Sequence, residues 1–485
     1  MAVISEATGP GTHGEARALD RSLLRGVAWT AAAKWASQAL GWASWLIVAR
    51  LLTPEDYGLV GMAAIYLGLI TLVAEFGLGT AVLAVRELSV AQINQLNGLA
   101  VLLGLASLVT SCAVAAMSTT FVITSFKTVP LALLQRELRF KALALIDLGQ
   151  ALVLAMSMIG LAVAGFRYWT LVCGGVLGAV ISTGAVLRLR HPPLAWPRLH
   201  SLKHATTLSS NILISRFCWY CSVNADFLVA GRILGKAALG FYNVGWTLAN
   251  VSVDKITALV GQVTPAFFSA VQRDAAAMRR YLLRITEGIA LITFPVSVGV
   301  ALVARDFVLT VLGSKWEATI APLQILAAYA AVRSITPLLP QVLHTIRDTK
   351  FEMATMVAAA VVMPTSFYVS GQRWGTVGLA MAWVVMDPLI ASLLYWRVFS
   401  KIALSPKAYL VALWPALSGT VLMAAVVLAV GRLSGSAWTG GLRLTAQVGA
   451  GVITYGLACL LLHRERLKVF YELVVAARRG SEGCP

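Results

Sequence analysis

The chain is built from about fourteen apolar runs of roughly 20 residues, separated by short polar breaks. Only α-helices and closed β-barrels satisfy the backbone in lipid, and these runs lack the period-two alternation of barrel strands. Of the 485 residues, 59% are hydrophobic and 12% are charged, about half the charged share of soluble proteins. The sequence therefore predicts an all-α polytopic membrane protein with about 14 transmembrane helices.

The lysines and arginines are unevenly distributed over the polar breaks. With the polar N-terminal tail placed in the cytoplasm, the breaks on that side hold roughly three times as many as those opposite, as the positive-inside rule expects. The first apolar run is too long for a cleavable signal peptide, so we expect both termini to be cytoplasmic. The net charge of +18 follows from this topology and favours anionic lipid headgroups; it does not indicate a nucleic-acid-binding protein.

One polar turn between two apolar runs occurs twice, 182 positions apart, at residues 49–60 and 231–242. In each copy an arginine precedes two aliphatic residues, and a glycine follows eight positions after that arginine. Repeated halves of membrane transporters commonly enclose a substrate site at their interface. We interpret the turns as a periplasmic gate or hinge. The matching residues are Arg50 and Gly58 in the first copy and Arg232 and Gly240 in the second.

The repeat and the longest basic, proline-rich break predict how the chain is divided. Two six-helix halves flank a linker, and the last two runs, outside the duplication, form an accessory pair. Residues 94–135 hold two runs with four residues between them, so either a tight turn joins two spans or the number of spans is smaller. The predicted segments are a cytoplasmic tail (1–24), an N-terminal half (25–190), a cytoplasmic linker (191–204), a C-terminal half (205–400), accessory helices 13 and 14 (401–463) and a basic cytoplasmic tail (464–485).

Five basic residues, Lys127 among them, lie inside predicted spans, where a lone charge costs about 3 kcal/mol unless it meets water or a partner. A lysine close enough to a helix end can instead extend its ammonium group to the interface. A cavity lined by cations suits an anion, and phosphate or pyrophosphate matches this chemistry. The predicted substrate-binding cations are Lys34, Arg216, Lys255 and Arg333.

Predicted helix 7 is the most polar span, and the polar residues of predicted helix 8 follow one line at helical spacing. Polar contacts between packed helices would explain the same pattern. The acidic residues are candidates for coupling transport to a proton or sodium gradient, because they lie deep in predicted spans. The predicted cavity and coupling residues are Glu75, Asn211, Tyr220, Asn224, Asp226, Asn250 and Asp254.

Sequence motifs for catalysis or metal binding are absent. Cys218 and Cys221 match a CxxC pattern, but they lie inside a predicted membrane helix without further ligands. The chain has neither a nucleotide-binding P-loop nor a metalloprotease or serine-hydrolase motif, and its loops are too short for a catalytic domain. We therefore expect no enzymatic activity, no metal site and no cofactor.

Residues 49–58, the basic stretch 130–141 and the Tyr168-Trp169 start of the sixth run resemble the polysaccharide-exporter branch of the MOP superfamily. This branch includes the colanic-acid-type and other Wzx flippases. The likeness spans about residues 22–400. Family members commonly carry an extra periplasmic segment between helices 3 and 4, which this sequence lacks.

The resemblance implies two pseudo-symmetric halves around a V-shaped central cavity. It implies flipping of undecaprenyl-pyrophosphate-linked polysaccharide repeat units from the cytoplasmic to the periplasmic leaflet of a bacterial inner membrane, by alternating access. Exopolysaccharide or surface polysaccharide would be made from them, with a polymerase and export machinery as candidate partners. The alternative is a small-molecule or multidrug exporter of the same superfamily. A polysaccharide polymerase or ligase is disfavoured because it would need a large periplasmic loop.

Overall fold

A computed structural model of the protein describes most of the chain, and the regular structure in its described residues is helical, without a β-strand. Seven of the described helical segments are long and apolar enough to cross a membrane. Both findings confirm the all-α membrane fold. The described residues are 34–75, 89–110, 115–137, 139–190, 193, 220, 223–272, 274–434 and 438–464.

Six helices form the first part of the described chain. The two apolar runs between residues 94 and 135 are separate helices, the second of which contains Pro130. The helices are α1 (residues 34–51), α2 (Pro54–Glu75), α3 (Val90–Thr110), α4 (Ala115–Arg136), α5 (Phe140–Val163) and α6 (Trp169–Leu189).

The second part follows with eight α-helices in the described residues and a 3₁₀ helix at Ser314–Thr319. Two of them end in a π-helical turn, at Ala230–Leu234 and Val308–Leu312, and each turn leads into a glycine with positive φ, Gly235 (88°) and Gly313 (99°). The elements are α7 (Ala225–Val229), α8 (Lys236–Ala270), α9 (Ala275–Phe307), α10 (Ile320–Arg333), α11 (Leu338–Thr345), α12 (Thr349–Ile402), α13 (Pro406–Leu433) and α14 (Gly440–Leu462).

Helix α12 is a pair of helices joined at Gly375. Its 54 residues would measure about 81 Å as one straight helix, more than twice the hydrocarbon core of a bilayer. The backbone of Gly375 has φ 59° and ψ −139°, which lies outside the helical region and is open to glycine. A Cβ added to Gly378 would lie 2.1 Å from the Ser370 carbonyl oxygen, because the chain folds back closely there. The two spans expected from the sequence over this stretch are therefore present.

Two compact units divide the chain. One consists of Met1–Leu52 with Ala63–Phe217, and the other of Thr53–Met62 with Cys218–Pro485. In the first unit α4 packs against α3 and α6, and α5 packs against α6. The division at 190, 204 and 400 stays a prediction, since most of the linker lies outside the described residues.

The core of the second unit is formed largely by α9, α11, α12 and α13. Met278, Leu282, Leu339 and Val398 are buried there. Helices α13 and α14 pair with each other, and both pack against α9. Arg443 of α14 forms an ion pair with Asp306 at 3.2 Å. The accessory pair is thus an integral part of the second unit.

The hydroxyl of Tyr455 anchors α14 to α9 by donating a hydrogen bond to the carbonyl oxygen of Leu291 at 2.6 Å. We expect Tyr455→Phe to lower the free energy of unfolding by about 1 kcal/mol, because one half-buried hydrogen bond is lost while the ring remains. The thermal unfolding midpoint in detergent measures this loss. Tyr368→Phe, at an exposed tyrosine, is the control, and equal midpoints for the two variants would contradict the anchor.

Candidate functional site

Three of the predicted cavity residues fall outside what the structure describes. They are Asn211, Arg216 and the side chain of Glu75, and their roles stay predictions. Asn224 and Tyr220 are half-buried at the start of the second unit, where the Asn224 amide donates to the Tyr220 carbonyl oxygen at 2.9 Å.

Asp226 is completely buried at the start of α7. Its Oδ1 accepts a hydrogen bond from the Phe227 backbone at 2.8 Å. Its Oδ2 accepts one from the Tyr242 hydroxyl of α8 at 2.7 Å and one from the Trp383 indole of α12 at 2.9 Å. All three donors are neutral. One carboxylate therefore joins three helices without a cation among its hydrogen-bond donors in the described residues.

A cluster of aromatic rings extends from this carboxylate. The Trp383 ring lies 5.2 Å from Trp246 and stacks 6.0 Å from Tyr329, measured between centroids. The Tyr329 hydroxyl donates to Asp387 at 2.6 Å. The cluster of aromatic rings thus connects the two carboxylates, Asp226 and Asp387.

Arg333 is the last residue of α10 and lies beside this aromatic cluster. Its guanidinium carbon lies 5.3 Å from the centroid of the Trp246 ring, a cation–π distance. Its Nη1 donates to Asn250 Oδ1 and, at 3.2 Å, to Asp254 Oδ1. The side chain of Arg333 is 27% exposed and that of Asp254 is 53% exposed. Asp254 therefore neutralises Arg333 only weakly.

Arg333 keeps donors available for a ligand. Both hydrogen bonds of Arg333 to Asn250 and Asp254 use Nη1, whereas a guanidinium carries five N–H groups. The described part of the chain engages neither Nη2 nor Nε. Lys255 is exposed one residue after Asp254, about 100° around α8, and does not share these contacts.

In the first unit, Lys34 takes part in a second charged cluster. Asp147 of α5 lies within electrostatic range of Lys34 and of Lys127. The Lys127 ammonium donates to the Ser182 hydroxyl at 3.1 Å, which joins α4 to α6. Lys34 itself is exposed. Its predicted role in binding substrate remains a prediction.

Sequence reasoning missed Asp147, Trp246, Trp383 and Tyr329. Asp147 is a lone acid in an apolar run and carries the same signal that selected Lys34. Trp246 lies one turn before Asn250 on the polar line of α8, but aromatic residues in membrane helices are ordinarily apolar packing. Only the three-dimensional contacts distinguish these rings.

The two repeated glycines lie at one helix crossing within the second unit. A Cβ added to Gly58 would lie 1.6 Å from the Lys236 carbonyl oxygen, and one added to Gly240 would lie 1.9 Å from the Pro54 carbonyl oxygen. Each glycine thus leaves room for the backbone of the opposite helix. The carbonyl group that it faces lies four residues before the other glycine. This reciprocal contact explains why both copies of the turn carry a glycine at the same offset.

The start of α2 is fixed next to this crossing by a capping box. Thr53 N donates to Asp56 Oδ2 at 3.1 Å, and Asp56 N donates to Thr53 Oγ1 at 3.3 Å. Arg50 and Arg232 are exposed. The glycines therefore hold the two helices in backbone contact, whereas the gate or hinge role of the turns stays a prediction.

We expect Gly58→Ala and Gly240→Ala each to lower the unfolding free energy by about 1–3 kcal/mol, because a methyl group would force α2 and α8 apart. The double variant should lose less than the sum, since the helices separate once for both methyl groups. Thermal unfolding in detergent measures this, with Gly175→Ala as control because nothing lies within 4 Å of its added Cβ. Additive losses, or midpoints like that of the control, would contradict the reciprocal crossing.

Comparison with known proteins gives consistent matches. A family model described as "Polysaccharide biosynthesis protein" matches residues 47–117 and 97–321. The lipopolysaccharide biosynthesis protein WzxC of Escherichia coli (strain K12) is 23% identical over 427 residues, which cover 82% of this chain and 85% of that protein.

Two solved structures share the fold. The lipid II flippase MurJ, in an inward closed conformation, superposes with a TM-score of 0.68 at 13% identity, over 90% of this chain and 99% of that one. An inward-facing multidrug resistance MATE family transporter of the MOP superfamily superposes with a TM-score of 0.62 at 14% identity, over 76% of this chain and 94% of that one. At these identities the likeness is one of fold.

Proposed function

The chain belongs to the polysaccharide biosynthesis protein family, and on that premise we propose that it is a flippase for undecaprenyl-pyrophosphate-linked polysaccharide repeat units. It moves them from the cytoplasmic to the periplasmic leaflet of a bacterial inner membrane by alternating access. The similarity to WzxC over most of both chains and the fold shared with MurJ support a lipid-linked substrate. The protein acts as a transporter, not as an enzyme.

The partly exposed Arg333 beside Trp246 is the observation that carries the proposal. A guanidinium with unused N–H donors binds phosphate oxygens in a fork, and the adjoining aromatic face offers a surface for the apolar side of a sugar ring. Asn250 and Asp254 orient the guanidinium. Lys34, Arg216 and Lys255 would supply further positive charge along the substrate's path.

The surroundings of the protein follow from the same proposal. Both termini are cytoplasmic, in accord with the distribution of Lys and Arg over the breaks. The repeat unit reaches the periplasm still linked to its carrier, where a polymerase and the export machinery for exopolysaccharide or surface polysaccharide would take it over. The turns at Arg50 and Arg232 would then lie at the periplasmic rim.

Arg333→Gln tests the binding role. We expect a roughly ten- to hundredfold lower rate of flipping, because hydrogen bonds from a charged donor to the pyrophosphate are lost. Arg333→Lys keeps the charge without the fork and should fall between. The measurement is the accessibility of an undecaprenyl-pyrophosphate-linked oligosaccharide to an external enzyme in proteoliposomes. Arg373→Gln, at an exposed arginine of α12, is the control. A wild-type rate for Arg333→Gln would overturn the assignment.

We infer that Asp226 couples transport to an ion gradient, because its carboxylate is completely buried and its hydrogen-bond donors in the described residues are neutral. A proton on Oδ2 would compete with both the Tyr242 hydroxyl and the Trp383 indole, which donate to that same oxygen. Protonation would thereby loosen α8 and α12 from α7. Sodium binding to the carboxylate would act on the same contacts.

Asp226→Asn should flip substrate at a rate that no longer responds to an imposed gradient, because the exchangeable charge is gone. Proteoliposomes under separate proton and sodium gradients provide the measurement, and the gradient that accelerates the wild type identifies the ion. Asp254→Asn should remain responsive although slower. Unchanged acceleration in Asp226→Asn would remove this residue from the coupling mechanism.

A further inference from the structure

A groove runs between the first turns of α9 and α13, in the second unit and away from the Arg333 site. We call it the basic groove. It encloses about 330 Å³ and adjoins a second depression of about 360 Å³ that shares part of its wall. The residues that matter to its chemistry are Arg280, Leu283, Arg284, Glu287, Val411 and Ala412.

Two exposed arginines line the mouth of the basic groove. Arg280 and Arg284 are one helical turn apart on α9, so their side chains lie on one face and repel each other. Neither makes an ion pair or a hydrogen bond within the described residues. Asp274, the acid at the start of the helix, directs its carboxylate to the amides of Ala276 and Ala277, at 2.9 Å each. Among the residues that the structure describes, the pair of arginines therefore has no contacting counter-ion.

A third arginine shapes the mouth. Arg279 Nη1 donates to the carbonyl oxygen of Ala403 at 2.8 Å, and Ala403 has a left-handed φ of 51° where α12 ends. This bond fixes the turn between α12 and α13 against α9. Arg279 is thus engaged by the Ala403 carbonyl oxygen, whereas the guanidinium groups of Arg280 and Arg284 remain available for a ligand.

The wall below the arginines is apolar. Leu283 on α9 faces Val411 and Ala412 on α13, and Val411 is 59% exposed. Both helices belong to apolar segments long enough to span a membrane, so the wall continues towards the hydrocarbon. Glu287, an acid that also lines the groove, is buried about 10 Å from Arg280 along the helix and about 4.5 Å from Arg284. An anion held at the mouth is therefore expected nearer to Arg280 than to this acid.

We propose that the basic groove is a binding site for an anionic phospholipid of the bilayer. The phosphate lies between Arg280 and Arg284, and an acyl chain lies against Leu283 and Val411. Charge complementarity at the mouth and an apolar wall directed into the membrane fit an amphiphile with an anionic head better than a free anion, which would leave the wall unused. This site is independent of the proposed transport function, since it needs only the bilayer's own lipid.

Native mass spectrometry of the purified full-length protein with phosphatidylglycerol and with zwitterionic phosphatidylcholine tests the site. The double variant Arg280→Gln/Arg284→Gln should bind phosphatidylglycerol roughly tenfold or more weakly, with phosphatidylcholine unaffected. Lys350→Gln/Lys401→Gln removes two exposed charges from α12, outside the groove, and should bind like the wild type. Equal weakening in both double variants, or none in either, would overturn the proposal.

A second pair of variants tests the wall without touching the arginines. Val411→Glu places a negative charge in the groove at an exposed position and should also weaken phosphatidylglycerol binding about tenfold. Leu410→Glu, at the equally exposed neighbour that does not line the groove, should not. If the wild type binds undecaprenyl pyrophosphate more tightly than phosphatidylglycerol, and the arginine double variant loses the binding of both, the groove belongs to the transported lipid and the proposal is wrong.

Discussion

The second unit depends on how the buried charge of Asp226 is satisfied. A carboxylate removed from water costs several kcal/mol unless hydrogen bonds replace its solvation. Its two side-chain donors, Tyr242 and Trp383, come from α8 and α12. The charge is therefore accommodated only when α7, α8 and α12 meet in one arrangement.

The same contacts orient the candidate binding site. Trp383, held by Asp226, packs against Trp246, and Arg333 lies over the Trp246 ring. A continuous set of contacts thus leads from a buried acid through aromatic rings to a partly exposed cation. Aromatic rings are rigid and have few rotamers, so we expect a change at the acid to reach the rings that support Arg333. This connection joins the proposed coupling group, Asp226, to the proposed substrate-binding group, Arg333.

Much of the fold and part of the candidate site could be predicted from patterns in the sequence. The lengths of the apolar runs predicted a helical membrane fold, and helical periodicity grouped Asn250 with Asp254 on one face of α8, where both accept hydrogen bonds from one arginine. The offset shared by Gly58 and Gly240 revealed the duplication. It could not reveal that the two glycines admit each other's helix, because that contact joins positions far apart in the chain. Trp383 was missed for a related reason: a tryptophan in an apolar run indicates ordinary packing, and its hydrogen bond to Asp226 also joins positions far apart in the chain.

The central claim is that the protein carries a lipid-linked polysaccharide repeat unit across the membrane. Deleting its gene in the native host and analysing the undecaprenyl-linked lipids, with their membrane face determined by accessibility to an external glycosidase, tests this most directly. We expect accumulation of an undecaprenyl-pyrophosphate-linked oligosaccharide that external enzyme cannot reach, together with loss of the corresponding surface or secreted polysaccharide. Normal polysaccharide with no accumulated carrier-linked oligosaccharide would contradict it.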